Sequence, residues 1–376
     1  MKAMNSLGRK IMITATTCLC ACLVSCINSD GECTGSGDRL PRTFLLSYEI
    51  PDAETSEAPA TRAAGTTPST GTENVIDHVR VLFFERDDYG NGAYIGSLSG
   101  QHPNRSLENV GELEITLADP VKADADYNVL VIANADKYIA PAQLEAFCQS
   151  RTENLVKIEL LPVLEAGVAD GLFTVPDGCL PMSATGVKAA EKGLKVTLLR
   201  AAVRIDVKTG VPDGEEKITI EEAQVANILP AVPLFCDPRP MEAAYLWGTK
   251  KKLTDADNNE IKGGLYAMET YNTPTDRGEL ITRRTCLLVK CHTESYTGSR
   301  CWYRIDINVA ETETEGQTMQ YLKRNNVYVV RIDGIRSLGA GSAEEAYYSD
   351  ATLIASVTIP GKWQDSGLDT PDADVN

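Results

Sequence analysis

The sequence has few of the residues that bind nucleic acid or do acid–base chemistry. Among 376 residues there are only three histidines, His78, His102 and His292, and each stands alone in the sequence. Lysine and arginine total 36 against 53 acidic residues, which gives a formal net charge of −17. No basic cluster offsets this balance, so nucleic acid and anionic membrane surfaces are excluded as main partners.

Patterns typical of catalytic and metal sites are also missing. No glycine-rich nucleotide loop occurs, and Leu98 fills the nucleophile position of Gly96–Gly100, which otherwise resembles a nucleophile elbow. Asp255–Glu260 begins like a calcium loop, but Glu260 stands where the turn glycine belongs. The six cysteines after Arg62 include no C-x-x-C pair, which argues against structural zinc. We therefore expect no enzyme, no cofactor and no metal site.

The first 26 residues are typical of an export signal. Basic residues precede a short apolar run, residues 11–24, which is too short to stay in a membrane as a spanning helix. Leu-Val-Ser-Cys, ending at Cys26, is similar to the end of a bacterial lipoprotein signal. We predict a signal peptide over residues 1–25 and acyl chains on Cys26 that hold the chain to a membrane. The alternatives are a plain signal peptide and a weaker lipidation site at Cys22.

The main pattern in the rest of the chain is alternation of apolar and polar residues between turn residues. Segments 78–85, 127–134, 302–309 and 325–332 alternate in this way, which predicts β-strands. One segment, residues 140–155, has helical spacing. The sequence therefore predicts a mostly β protein built of sandwiches, with one or two short helices.

A shift of the apolar face marks a domain boundary. Residues 194–198 place Leu194, Val196 and Leu198 on one face, whereas the face moves by one residue over 203–207. A β-bulge produces such a shift, and so does a strand that leaves one core for another. We place the junction near residue 200, with domains at 63–200 and 201–376.

Two cysteines lie on the arms of a predicted hairpin. Cys291 and Cys301 enclose a polar turn, so a cross-strand disulfide is geometrically plausible. A pair of buried free thiols is the alternative.

The beginning of the exported chain raises a further question. Residues 43–50 read as a good strand, and the soft segment that follows carries a single basic residue, Arg62. Such a segment is a favourable site for a trypsin-like protease.

Five segments resemble the fimbrillin family, the subunits of type V pili of Bacteroidia-type bacteria. They occur in the family's order at residues 126–136, 180–207, 264–272, 322–341 and 357–363. The resemblance implies two transthyretin-like or Greek-key β-sandwich domains in tandem. It also implies export as a lipoprotein to the outer membrane, and a place in the fimbrium on the cell surface.

The family resemblance further implies proteolytic maturation. A trypsin-like, arginine-specific protease would cut after Arg62 and leave Ala63 as the new N-terminus, so that residues 26–62 form a propeptide. The vacated groove would accept a strand from another fimbrial subunit, of the same or a related kind, and the polymer would support adhesion to a host or bacterial receptor.

Alternatives remain open at this point. A stalk subunit needs a donor strand, and residues 364–376 are too acidic to make a good one. Either residues 351–359 are the donor, or this protein does not donate a strand. A tip or anchor position in the same pilus is the runner-up. A surface glycan-binding lipoprotein that does not polymerise is a further alternative, and a secreted hydrolase is the last.

Overall fold

The fold is described from a computed structural model. It describes residues 43–51, 73–106, 109–160, 168–169, 172–175, 178–188, 193–210, 216–236, 245–253, 259–271, 284–307, 310–314, 317–349 and 353–358. These residues are mostly β, with three short α-helices where the sequence indicates one or two. Over these ranges no helix is long and apolar enough to cross a membrane.

Ten strands lie in the described residues before residue 201. They are β1 (Thr43–Glu49), β2 (Ile76–Glu85), β3 (Tyr94–Ser106), β4 (Val110–Thr116), β5 (Tyr127–Ala133), β6 (Val168–Ala169), β7 (Leu172–Phe173), β8 (Met182–Lys188), β9 (Leu194–Thr197) and β10 (Leu199–Arg200). One sheet has the order β4-β1-β9, and a larger sheet has the order β10-β8-β5-β2-β3.

These two sheets pack face to face around one core. Alternate residues of β1, β4 and β9 meet alternate residues of β2, β5 and β8 in a single buried cluster. Phe83 on β2 and Val129 and Val131 on β5 are fully buried within it. The apolar residues that alternate in the sequence are therefore the residues of each strand that face the core.

The larger sheet is covered on its other face as well. Leu82, Leu130 and Ile132 point away from the first core and join a second buried cluster. Helices α1 (Pro141–Cys148) and α2 (Glu153–Glu159) contribute to that cluster. This explains why every residue of β5 is buried, and why its sequence from Val129 to Ala133 is an unbroken apolar run.

The segment predicted as one helix over residues 140–155 forms two. Ser150 has a φ of 63°, in the left-handed region, which ends the first helix. A new helix then starts at Glu153, where the side chain of Thr152 accepts a hydrogen bond from the amide of Leu155 at 3.5 Å. Helical spacing continues across the break, so the pattern alone does not reveal it.

Thirteen further strands occur in the part of the chain after residue 201 that the structure describes. They are β11 (Ala202–Thr209), β12 (Thr219–Ala226), β13 (Trp247–Gly248), β14 (Lys251–Lys252), β15 (Glu260–Ile261), β16 (Tyr266–Met268), β17 (Thr270–Tyr271), β18 (Cys286–His292), β19 (Trp302–Asp306), β20 (Ala310–Thr314), β21 (Gln317–Leu322), β22 (Val327–Ile335) and β23 (Leu353–Thr358). A third short helix, α3 (Ala343–Tyr347), lies between β22 and β23.

Two larger sheets again face each other in this part of the chain. One has the order β15-β11-β22-β23, with β16 also paired to β11, and the other has the order β14-β12-β18-β19. Their inward residues, among them Ile205, Val225, Val289 and Tyr328, belong to the second buried cluster. Within the described strands, β23 has its one partner in β22 and so lies at a sheet edge.

The chain changes sheets at the point where the apolar face shifts. β9 pairs with β1, β10 pairs with β8, and β11 pairs with β22 and β16. A short contact also joins the two parts of the chain, because β13 pairs with β7. The proposed division into domains at 63–200 and 201–376 stays a prediction.

Candidate functional site: the first strand and its groove

The first strand lies in the middle of its sheet. β1 pairs antiparallel with β4 from Thr43 opposite Thr116 to Glu49 opposite Val110. It pairs parallel with β9 from Leu46 opposite Leu194 onward. Because both neighbours direct their backbone groups at β1, taking it away would leave two strands with unpaired edges.

Every second side chain of this segment fills the core between the sheets. Phe44, Leu46, Tyr48 and Ile50 are at most 6% exposed, whereas the intervening Leu45 is 43% exposed. Full burial of an apolar side chain contributes about 1.5–3 kcal/mol, so four together contribute roughly 6–12 kcal/mol as an upper bound. We call the space that these four side chains occupy the β1 groove.

The β1 groove is shaped for these side chains. Phe83 lines it and meets the ring of Phe44 edge to face, with 6.0 Å between ring centroids. Gly111 on β4 lies opposite Tyr48, and a side chain there would collide with the tyrosine hydroxyl. Glycine at position 111 therefore leaves room for a large aromatic side chain in the groove.

The end of the segment is held by three hydrogen bonds, two between backbone groups and one from a side chain. The amide of Ile50 donates to the carbonyl of Asn109 at 2.6 Å, and the amide of Leu198 donates to the carbonyl of Glu49 at 2.8 Å. One residue further on, the guanidinium of Arg200 donates from Nη1 to the carbonyl of Pro51 at 2.9 Å. The last contact joins the end of the first strand to the point where the chain changes sheets.

Arg200 also forms hydrogen bonds with the residues that follow segment 52–72. Its Nε donates to the carbonyl of Glu73 at 3.2 Å, and its Nη2 donates to the side chain of Asn74. Its Nη1 is shared with the side chain of Asn325, at 3.1 Å. The side chain of Arg200 is fully buried. One guanidinium therefore holds both Pro51 and Glu73, the residues that flank segment 52–72.

A second buried arginine lies beside the first. Arg204 donates to Glu73 at 2.7 Å and to Asp206 at 2.9 Å, and all three side chains are at most 2% exposed. Burial opposes the charge on Arg204, but the carboxylates of Asp206 and Glu73 outweigh burial and raise its pKa. Tyr266 donates to the other oxygen of Glu73 at 3.1 Å. The start of the chain after segment 52–72 is thus fixed by a buried ion-pair network.

The part of the sequence that forms the β1 groove matches a known protein family. Residues 50–197 match the family model described as the major fimbrial subunit protein FimA. Over these residues the chain is similar to the fimbrial subunit family. The match runs from the end of the first strand through β9, and so includes the strands that line the β1 groove. No curated protein matches the chain at a significant level.

Solved structures agree with the fold. The tip fimbrial protein Mfa3 from Porphyromonas gingivalis, solved with a C-terminal truncation, aligns with a TM-score of 0.51 at 12% identity. The alignment covers 85% of this chain and 100% of that one. A fimbrilin from Porphyromonas gingivalis W83 aligns with a TM-score of 0.47 at 14% identity, over 83% of this chain and 96% of the other. At such identities the likeness bears on the fold alone.

The maturation residues expected in a fimbrillin fall outside the described residues. This applies to the lipidation site Cys26, to the cleavage site Arg62–Ala63, and to the possible donor segment 364–376. The strand that cleavage would remove is described, and so are the contacts of Pro51 and Glu73, which flank segment 52–72.

The two cysteines of the predicted hairpin are neighbours across two strands. The amide of Cys291 donates to the carbonyl of Cys301 at 3.0 Å, and both side chains are buried as thiols. Burial, reinforced by the neighbouring Cys301, raises the pKa of the Cys291 thiol, which holds it protonated. The disulfide between them stays a prediction. Over the described ranges, no group of three or more acidic, histidine or cysteine side chains is arranged to hold a metal ion.

Sequence reasoning missed the roles of the buried charges. Arg200, Arg204 and Asp206 stand in a strand-like run, where alternation indicates exposed positions for polar residues. The available signal was the unusual number of charges inside an otherwise apolar segment. Glu73 carried no signal, because its partners are more than 100 residues away.

Proposed function

We propose that this protein is a fimbrial structural subunit that is exported as a lipoprotein and polymerises by strand exchange. In this account an arginine-specific protease cuts after Arg62, β1 leaves its groove, and a strand of another subunit takes its place. The match of residues 50–197 to the fimbrial subunit family supports a role as a subunit of surface fimbriae. The observation that carries the exchange step is the central position of β1 in its sheet, with every second side chain buried.

Cleavage acts as a trigger because it changes the binding of β1 from intramolecular to intermolecular. While β1 is covalently joined to the rest, its effective concentration at the groove is high and no other strand competes. After a cut at Arg62, the strand is held by non-covalent contacts alone. A neighbouring subunit can then offer an apolar strand to the unpaired edges of β4 and β9.

The donor segment that fits best is residues 351–359. Its described part, β23, pairs antiparallel with β22 at the edge of its sheet, from Leu353 opposite Ile335 to Thr358 opposite Val329. An edge strand with one partner loses fewer backbone hydrogen bonds on leaving its sheet than a central strand does. This supports a stalk position for the subunit, with a tip or lipid-anchored position as the alternative.

The deciding experiment treats purified precursor, produced from Ile27 so that it carries no lipid, with an arginine-specific protease. We expect a ladder of oligomers on a denaturing gel without boiling, and Ala63 at the N-terminus of each band. Arg62→Ala should abolish the ladder. The matched control is Arg42→Ala, because a cut at Arg42 leaves β1 attached. Ladders from uncut protein, or from Arg62→Ala protein, would contradict the proposal.

A further inference from the structure

The first strand and the last described strand share a sequence pattern. Residues 43–51 read TFLLSYEIP, and residues 352–360 read TLIASVTIP. The two segments carry the same residue at four of nine aligned positions, namely Thr43 and Thr352, Ser47 and Ser356, Ile50 and Ile359, and Pro51 and Pro360. In both, four apolar residues alternate with other residues and an Ile-Pro pair ends the segment. The last strand is therefore a sequence copy of the first, in the same direction.

The structure gives the final residue of the pattern a specific partner. The carbonyl of Pro51 accepts a hydrogen bond from Nη1 of Arg200, whose side chain is fully buried. When β1 leaves, this donor still points at the end of the β1 groove. Hydrogen bonds to a buried charged group are among the stronger ones in proteins. A replacement strand that stops at the isoleucine would offer Nη1 no carbonyl in place of that of Pro51, and Nη1 would keep its hydrogen bond to Asn325.

We propose that Arg200 is the anchor for the incoming strand, and that it binds the carbonyl of Pro360 from a second copy of this chain. This inference rests on the proposed strand exchange. In the exchanged state residues 353–359 run antiparallel to β4 and parallel to β9, as β1 does. Leu353, Ala355, Val357 and Ile359 take the places of Phe44, Leu46, Tyr48 and Ile50. Pro360 then follows at the position of Pro51.

The sizes of the side chains explain why an anchor matters more for the donor than for β1. Alanine replaces Leu46 and valine replaces Tyr48, so the donor buries less apolar surface in the same groove. With fewer apolar contacts, a single buried polar contact carries a larger share of the affinity. Arg200 also defines where the strand ends, because proline has no amide hydrogen to continue the pairing.

The test uses two peptides that differ by one carboxamide group, which contains the proline carbonyl. The first is residues 351–360 with a C-terminal amide. The second is residues 351–359 ending in a pyrrolidine amide, which keeps the proline ring and lacks the proline carbonyl. Both compete for the groove of protease-cut subunits, and we measure the concentration that halves ladder formation. We expect the pyrrolidine peptide to be weaker by on the order of tenfold, as one hydrogen bond to a buried charge predicts.

An arginine variant completes the comparison. In Arg200→Met subunits the two peptides should inhibit equally, because the donor is gone. The matched control is Arg300→Met, at an exposed arginine in the turn between β18 and β19, and the tenfold difference should persist. If Arg200→Met does not fold, as judged by its circular dichroism, the comparison of the two peptides on the unaltered protein still decides.

The outcomes separate this inference from the function on which it rests. Equal inhibition by both peptides on unaltered subunits overturns the anchor while strand exchange stands. Failure of both peptides, in a sample that forms ladders, shows that another segment is the donor and also overturns the inference. The absence of any ladder from cut protein without peptide overturns the proposed function itself.

Discussion

Truncation of one buried side chain in β1 should lower the stability of the precursor and leave the stability of the polymer unchanged. Leu46 is fully buried at the centre of the β1 groove, so Leu46→Ala removes apolar contacts and leaves a cavity. Such changes lower the free energy of unfolding by about 2.7–5 kcal/mol. The matched control is Leu45→Ala on the same strand. Its side chain is 43% exposed, and we expect a change within about 0.5 kcal/mol.

The assay is urea denaturation of uncut precursor followed by circular dichroism. The midpoint should fall clearly for Leu46→Ala and stay near that of the unaltered protein for Leu45→Ala. After protease treatment the same two variants should give polymers of equal stability to heat in detergent, because the mature subunits lack β1. The Leu46→Ala precursor should also form ladders faster, since its severed strand is held more weakly.

Two results would refute this reasoning. Equal loss of precursor stability in both variants would mean that the inward and outward faces of β1 are wrongly assigned. A weaker polymer from Leu46→Ala precursor would mean that β1 remains in the assembled fibre. In that case strand replacement would not be the basis of assembly.

Three further predictions concern the parts of the molecule around the groove. Glu73→Gln breaks the buried pair with Arg204 and should lower the free energy of unfolding by about 3 kcal/mol, whereas the exposed control Glu112→Gln should change it by less than about 0.5 kcal/mol. Burial lowers the pKa of His78, whose Nε2 accepts a hydrogen bond from the amide of Asp136 at 2.8 Å. The unfolded imidazole therefore binds protons more readily, so this contribution to stability is complete above pH 6.5 and is lost as the pH falls through the lowered value. His78→Gln should lessen the drop in urea midpoint between about pH 7.5 and about pH 5, and an unchanged drop would exclude His78 as its source. Finally, non-reducing peptide maps of exported protein should show Cys291 joined to Cys301, and the Cys301→Ser variant should lose that linked peptide. Free thiols at both positions would reject the disulfide.

The amino-acid sequence by itself determined the kind of fold and the faces of its strands. Residues 43–50 predicted a strand, and neighbouring residues of a strand point to opposite faces whatever the partner. The shift of the apolar face in residues 194–207 likewise located the point at which the chain changes sheets. The resemblance to fimbrillins, read from short segments, agrees with the family match over residues 50–197.

Tertiary structure decided everything that depends on which distant segments meet. The sequence of β1 suits an edge strand as well as a central one, and only the pairing with both β4 and β9 makes its removal open a groove. In the same way, Arg200 is a polar residue in a strand until the fold brings Pro51 and Glu73 to its guanidinium. Local patterns record the periodicity of the backbone, whereas a buried charge is tolerated because of partners supplied from far along the chain.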